Sequence, residues 1–115
     1  MYACECIGKK PPDSSQTAGA VYDMVWTIRN IGSAIWKEGE YDIKWLGGSD
    51  LSAEHTHPLS KNVAPFEVLE VSVSIRLPSD PSDEVQVTRW GIVNDSGEVF
   101  CKFFHAVPST HPPSP

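Results

Sequence analysis

The 115-residue chain carries 15 Asp and Glu against 9 Lys and Arg, a formal charge of −6. Its length suits one domain with a core large enough to fold without a staple, and its acidity argues against phosphate backbones and anionic bilayers as partners. No run approaches the roughly 20 apolar residues of a membrane helix, and the opening MYACEC lacks the basic and apolar regions of a secretory signal.

Residues 1–18 show little pattern and read as a lead-in that either supplies an edge strand, near 17–21, or simply leads in. Cys4 and Cys6 stand too close together for an unstrained bridge. Either is expected to face Cys101, and a Cys6–Cys101 bridge would tie the N-terminal segment to the last strand. Three reduced thiols are the open alternative, so the redox compartment stays undecided.

The segment VYDMVWTIRN then alternates, with Tyr22, Met24, Trp26 and Ile28 on one face. YDIKWLGG repeats the period with Tyr41, Ile43 and Trp45 and stops at a glycine pair. LEVSVSIRL is the cleanest case: Leu69, Val71, Val73, Ile75 and Leu77 alternate with Glu70, Ser72, Ser74 and Arg76. That is a strand with one dry and one wet face. VQVTRWGIV and EVFCKFFHAV follow, joined by the turn signal NDSG. Val85 and Val87 are out of phase with Trp90 and Ile92, which predicts a bulge near 88–89. Breakers such as NIGS, KEGE, HPLS, APFE and LPSDPSDE separate the runs, and no window shows helical periodicity over ten residues. The pattern predicts an all-β antiparallel sandwich of about seven to eight strands. The Pro/Ser-rich stretch 108–115 reads as a tail or linker towards other domains of a longer parent chain.

The most distinctive stretch is WTIRNIGSAIW, in which Trp26, Asn30, Gly32 and Trp36 set two indoles astride one turn. Asn30 and Gly32 mark the turn, where positive φ is cheapest for Asn and Gly. The spacing W-x-x-x-N-x-G-x-x-x-W resembles the four-tryptophan immunoglobulin-like domain of the neighbour-of-breast-cancer-gene autophagy receptors. The resemblance continues through KEGEYDIKWLGG, VAPFEVLEVSVSIRLPS and RWGIVNDSGEVF, and covers roughly 19–107. It makes Trp26, Asn30, Gly32, Trp36, Trp45 and Trp90 structural motif residues of an immunoglobulin-like sandwich. The chain departs from the family where SDEVQVTRW replaces a Gly-x-Tyr lead into the late Trp, and where Phe103 and Phe104 replace a further Trp.

Catalytic patterns are missing: there is no G-x-S-x-G, no H-E-x-x-H and no phosphate-cradling glycine loop. His55 and His57 could share a strand face as metal ligands, but beside Pro58 they read as exposed loop residues, and no metal or cofactor is expected. Asp80, Asp83 and Glu84 read as a solvated charge run. The leading reading is a non-catalytic module that binds a protein or short peptide, with Trp36 and Trp45 as candidate aromatic anchors. The resemblance implies cargo or partner recognition, in the cytoplasm for an autophagy-type receptor and at the cell envelope or outside for a bacterial relative. A structural spacer domain is the alternative, with a carbohydrate-binding sandwich as a third reading.

Overall fold

The computed structural model describes residues 1–11 and 16–112. Seven strands follow in order: β1 Cys4–Lys10, β2 Val21–Asn30, β3 Asp42–Gly48, β4 Thr56–Pro58, β5 Val68–Arg76, β6 Gln86–Val93 and β7 Val99–Val107. They form two antiparallel sheets, β1-β2-β5 and β4-β3-β6-β7, with no α-helix among the described residues. This is the expected all-β immunoglobulin-like sandwich.

Alternation puts the core where the sequence predicts. Across β2 and β5, Tyr22 faces Ile75, Met24 faces Val73, Trp26 faces Val71 and Ile28 faces Leu69. All eight side chains are buried, so this pair closes one wall of a core filled from both inner faces. The opposite wall sets Ile43 beside Ile92, Trp45 beside Trp90, and Trp90 beside Phe103. Trp26 packs on Phe103 at 4.8 Å between ring centroids and Trp36 on Phe100 at 5.4 Å.

Several expectations need correction. The edge strand is Cys4–Lys10, not 17–21: β1 pairs with β2 from Cys4 opposite Asn30 to Lys10 opposite Val25. The lead-in is therefore an integral part of the three-stranded sheet. Where β3 meets β6 the extra residue lies on β3, between Trp45 and Gly47 and opposite Arg89 and Trp90, not on β6 at 88–89; further register shifts fall between Cys6 and Gly8 and at Ile92 and Val93. Within β6 the buried positions continue as Thr88, Trp90 and Ile92, so Thr88 rather than Val87 holds the inward position. Thr88 is tolerated there because its hydroxyl accepts the Trp90 indole N–H at 2.9 Å. Stretch 108–115 does not lead away at once. Thr110 is buried and bridges Ser82, and His111 bridges Thr17; residues 113–115 lie outside the described residues.

The disulfide joins Cys4, not Cys6, to Cys101, with 5.6 Å between Cα atoms. Strand level decides the choice. Cys4 sits opposite Asn30 at the end of β2, whereas Cys6 sits two residues further in, opposite Ile28. Cys6 is left as an exposed free thiol whose Sγ approaches the Gly8 carbonyl. The Cys4–Cys101 bridge links the edge strand of one sheet to the edge strand of the other across 97 residues of chain. In the chain-entropy description a loop of that size is worth about 4–5 kcal/mol.

The turn after β2 is built on Asn30, which is fully buried. Its Nδ2 donates to the carbonyls of Ala34 at 2.8 Å and Val63 at 2.9 Å, and its Oδ1 accepts the Gly32 N–H at 3.0 Å. Neither Asn30 nor Gly32 takes a positive φ. Gly32 is needed for close approach instead: a Cβ there would collide with the backbone of Met1 and Ala3.

Positive φ falls on Phe66, at 71°. The turn Ala64–Glu67 closes through Glu67 N–H to Ala64 O at 3.0 Å, with Pro65 and Phe66 in its centre. This is the type II arrangement, in which the second central position is normally Gly or Asn. A bulky L-residue there costs about 1–2 kcal/mol.

Candidate functional site

The outer face of the four-stranded sheet differs from the rest of the molecule. On β6 the outward positions include Arg89 and Gly91; on β7 they include Lys102 and Phe104; on β3 Lys44 points the same way. Gly91 lies between Lys44 on β3 and Lys102 on β7, and Arg89 pairs with Phe104. The side chains of Leu46 and Val99 close over Gly91, so near that a Cβ there would meet Leu46 Cδ1 at 2.8 Å and Val99 Cγ1 at 2.9 Å. Leu46 stands on this face by alternation with Lys44, and it is the extra residue of the β3 bulge between Trp45 and Gly47.

Beside Gly91, a depression of about 310 Å³ is lined by Leu46, Arg89, Trp90, Lys102, Phe103 and Phe104. Phe104 is 50% exposed, an aromatic ring on what should be the wet face of its strand. Lys9 reaches over from β1 with its Nζ 4.5 Å from the Phe104 ring centroid, a cation–π contact. On the other flank of Phe104 a second hollow opens at the seam between the sheets, lined by Cys6, Lys9, Trp26, Lys102, Phe103 and Phe104.

Arg89 and Lys102 therefore border the apolar floor, Lys9 lies over its Phe104 and Lys44 stands on the same sheet face opposite Gly91, in a chain with only nine basic residues. Among the described residues none of the four has a carboxylate at ion-pair distance; the lysine–carboxylate pair present is Lys37–Glu40, elsewhere. Like charges gathered on a sheet face destabilise it slightly. Apart from the Lys9–Phe104 contact the arrangement gives the fold no compensating ion pair among the described residues, and it suits an anionic ligand with an apolar side chain.

The anchors expected from sequence are placed differently. Trp36 is fully enclosed and offers no ring face to a partner, which corrects its reading as an aromatic anchor. Its backbone bridges Val63 in both directions, at 3.0 and 2.9 Å. Trp26 and Trp90 are equally buried. Trp26 spans the seam and donates its indole N–H to the Phe104 carbonyl at 3.0 Å. Trp45 is half-buried, and His55 stacks on it at 4.6 Å. His55 Nε2 in turn lies 2.8 Å from Asp50 Oδ1, and this contact holds the Asp50 carboxyl below its usual range. His57 tilts against Trp90 at 5.8 Å. The His55–His57 pair is thus occupied in covering two tryptophans.

Sequence reading missed Leu46, Arg89, Gly91, Lys102 and Phe104. The signal was present in strand parity: with Cys101, Phe103 and His105 inward, Phe104 and Lys102 must face out. Inside the same strand His105 is buried, 2.8 Å from the Tyr22 hydroxyl. Burial, with the Lys9 charge nearby, holds its imidazole below the ordinary value, and burial pushes the Tyr22 phenol up to about 12.

Known proteins share this architecture. The archaellum periplasmic stator protein FlaG from Sulfolobus acidocaldarius superposes with a TM-score of 0.51 at 15% identity, over 91% of this chain and all of that one; this likeness concerns the fold alone. The autophagy receptor Nbr1 of Schizosaccharomyces pombe is 28% identical over 87 residues, which is 73% of this chain and 22% of the receptor. The chain therefore spans about a fifth of that relative's length. The family profile described as the Ig-like domain from next to BRCA1 gene matches residues 11–107. With the Trp26–Asn30–Gly32–Trp36 turn and the two-sheet order in place, the chain belongs to this family of Ig-like domains.

Proposed function

We propose that the domain is a non-catalytic protein-recognition module, and that its contact surface is the outer face around Leu46, Gly91 and Phe104. The observation that carries this reading is the grouping of Arg89 and Lys102 at an apolar depression, with Lys9 and Lys44 beside it and no carboxylate at ion-pair distance among the described residues, in an acidic chain. The chemistry that fits is a protein segment with carboxylates flanking an apolar side chain. The apolar group fills the depression, and the carboxylates meet Lys44, Arg89, Lys102 and Lys9. Its relative is an autophagy receptor, and in such a parent the module would recognise cargo or another partner protein.

The test uses a labelled ten-residue peptide of glutamates with a central leucine, and a scrambled-charge peptide with lysines in their place. Anisotropy should show binding of the acidic peptide alone, weakening steeply with salt. Arg89→Glu and Lys102→Glu lie on the exposed face and should keep the melting temperature while weakening binding about tenfold or more, since each reversal is worth at least 1.4 kcal/mol. Binding unaffected by either reversal, or no binding at low salt, would remove this face and favour a spacer role.

A further inference from the structure

Phe66 is the most exposed aromatic among the described residues, at 77%, and it holds the one positive φ outside glycine there. Pro65 precedes it, the Phe66 N–H is fixed to the Asn30 carbonyl at 2.7 Å, and the turn is closed by Glu67 N–H to Ala64 O. The Glu67 carboxylate also accepts the Ala64 N–H at 2.9 Å through one oxygen. The ring is thus presented on a rigid, hydrogen-bonded tip. Ile31 at 45% and Ile35 at 50% stand exposed on the adjoining loop, next to the residue whose carbonyl holds Phe66. A strained backbone with an aromatic side chain in solvent costs stability and gives none back, which points to use by a partner.

The tip pairs an apolar ring with a neighbouring carboxylate, Phe66 beside exposed Glu67. That is the chemistry the outer face of the four-stranded sheet suits. We infer that the domain self-associates head to tail: Phe66 of one copy enters the depression at Leu46, Gly91 and Phe104 of the next, and Glu67 meets Arg89 and Lys102 there. The proposal rests on the reading of that face as a site for apolar, anionic segments. A single aromatic ring fits a depression of about 310 Å³. Knob and depression are different surfaces of the same chain, so the contact is heterologous and propagates rather than closing as a two-fold dimer. A knob and two flanking isoleucines bury less than the roughly 1,200 Å² of a stable interface, so the association is weak, with Kd on the order of 0.1–1 mM.

Sedimentation equilibrium of the wild-type domain up to about 1 mM should show a weight-average mass that rises with concentration and falls with added salt. Phe66→Gly suits the turn, removes the knob and should stay monomeric. Lys102→Glu damages the depression and should weaken association about tenfold. The decisive arm mixes them. Phe66→Gly keeps an intact face and Lys102→Glu an intact knob, so the mixture should form 1:1 pairs with wild-type affinity, about tenfold tighter than Lys102→Glu alone, while Phe66→Gly alone stays monomeric. A wild type that stays monomeric up to the highest concentration overturns the inference, and so does equal association in Phe66→Gly. Binding of the acidic peptide is measured on the same samples: a monomer that still binds it fails self-association alone, whereas loss of both removes the face itself.

Discussion

The backbone carbonyl of Asn30 accepts the N–H of Phe66 at 2.7 Å, and the Asn30 N–H donates to the Glu67 carbonyl at 3.0 Å. The residue that builds the tryptophan turn thus also fixes the strained tip 36 positions later. Its side chain adds bonds to Ala34, Val63 and Gly32. Asn30→Ala would leave Val63 O without its side-chain donor and strip the turn of its internal ties. The expected loss is about 2–4 kcal/mol, from several bonds of about 1 kcal/mol each plus stranded buried groups. Asn30→Asp should be nearly as damaging, because a carboxylate cannot donate to two carbonyls. Urea melts of both variants check this, and a wild-type midpoint in Asn30→Ala would contradict the hub role.

Phe66→Gly should stabilise the domain. Glycine adopts φ near 71° without the steric cost a Cβ imposes there. The net gain, after glycine's greater freedom in the unfolded chain, is about 1 kcal/mol, or a rise in Tm of about 4–8 °C. Phe66→Ala keeps the Cβ and should leave Tm close to wild type. Calorimetry on the pair separates strain relief from the loss of an exposed ring.

Removing the bridge should separate the cysteines cleanly. Cys4→Ser opens the 97-residue tie and is expected to cost up to about 4 kcal/mol, while Cys6→Ser, at an exposed position, should be neutral within about 0.5 kcal/mol. Alkylation of unfolded, unreduced protein followed by intact mass should add one label to the wild type, and three after reduction. Three labels without reduction would mean that the bridge had not formed.

Trp36→Ala and Trp26→Ala should cost alike, about 3–5 kcal/mol each, because both indoles are fully enclosed. Trp36→Phe should be the milder conservative change. The Trp36 Nε1 has no hydrogen-bond partner among the described residues, whereas Trp26→Phe would also give up the bond to Phe104 O. A Trp36→Ala variant that melts like wild type would place this ring outside the core.

Stability should fall in mild acid through His105. Its folded-state imidazole is held below the ordinary 6.5 by burial. Below about pH 6.5 the unfolded chain takes up a proton that the folded chain refuses, so stability is full above that pH. It drops as pH falls towards the folded value, and the slope flattens below it. His105→Gln removes the titrating group and should flatten the stability profile between pH 7 and 5.5, measured by urea midpoints. An unchanged slope in that variant would assign the effect elsewhere.

Strand alternation in the amino-acid sequence was enough to determine the core. Leu69 to Leu77 and Tyr22 to Ile28 face inward because a period of two leaves each side chain only one dry side. The turn carrying Trp26, Asn30, Gly32 and Trp36 was legible as a motif, although its bonds reach Val63, Phe66 and Glu67, more than 25 residues further along the chain. Three matters waited for the tertiary structure. Cys4 rather than Cys6 meets Cys101 because the level of β1 against β2 and β7 is set by long-range pairing. The four cations and Phe104 form one surface because they come from β1, β3, β6 and β7, which are distant in sequence and adjacent only across the sheets. Phe66 is a knob because the turn conformation forced by Pro65 and Asn30 leaves its ring in solvent, and hydrophobicity alone would have placed that ring inside.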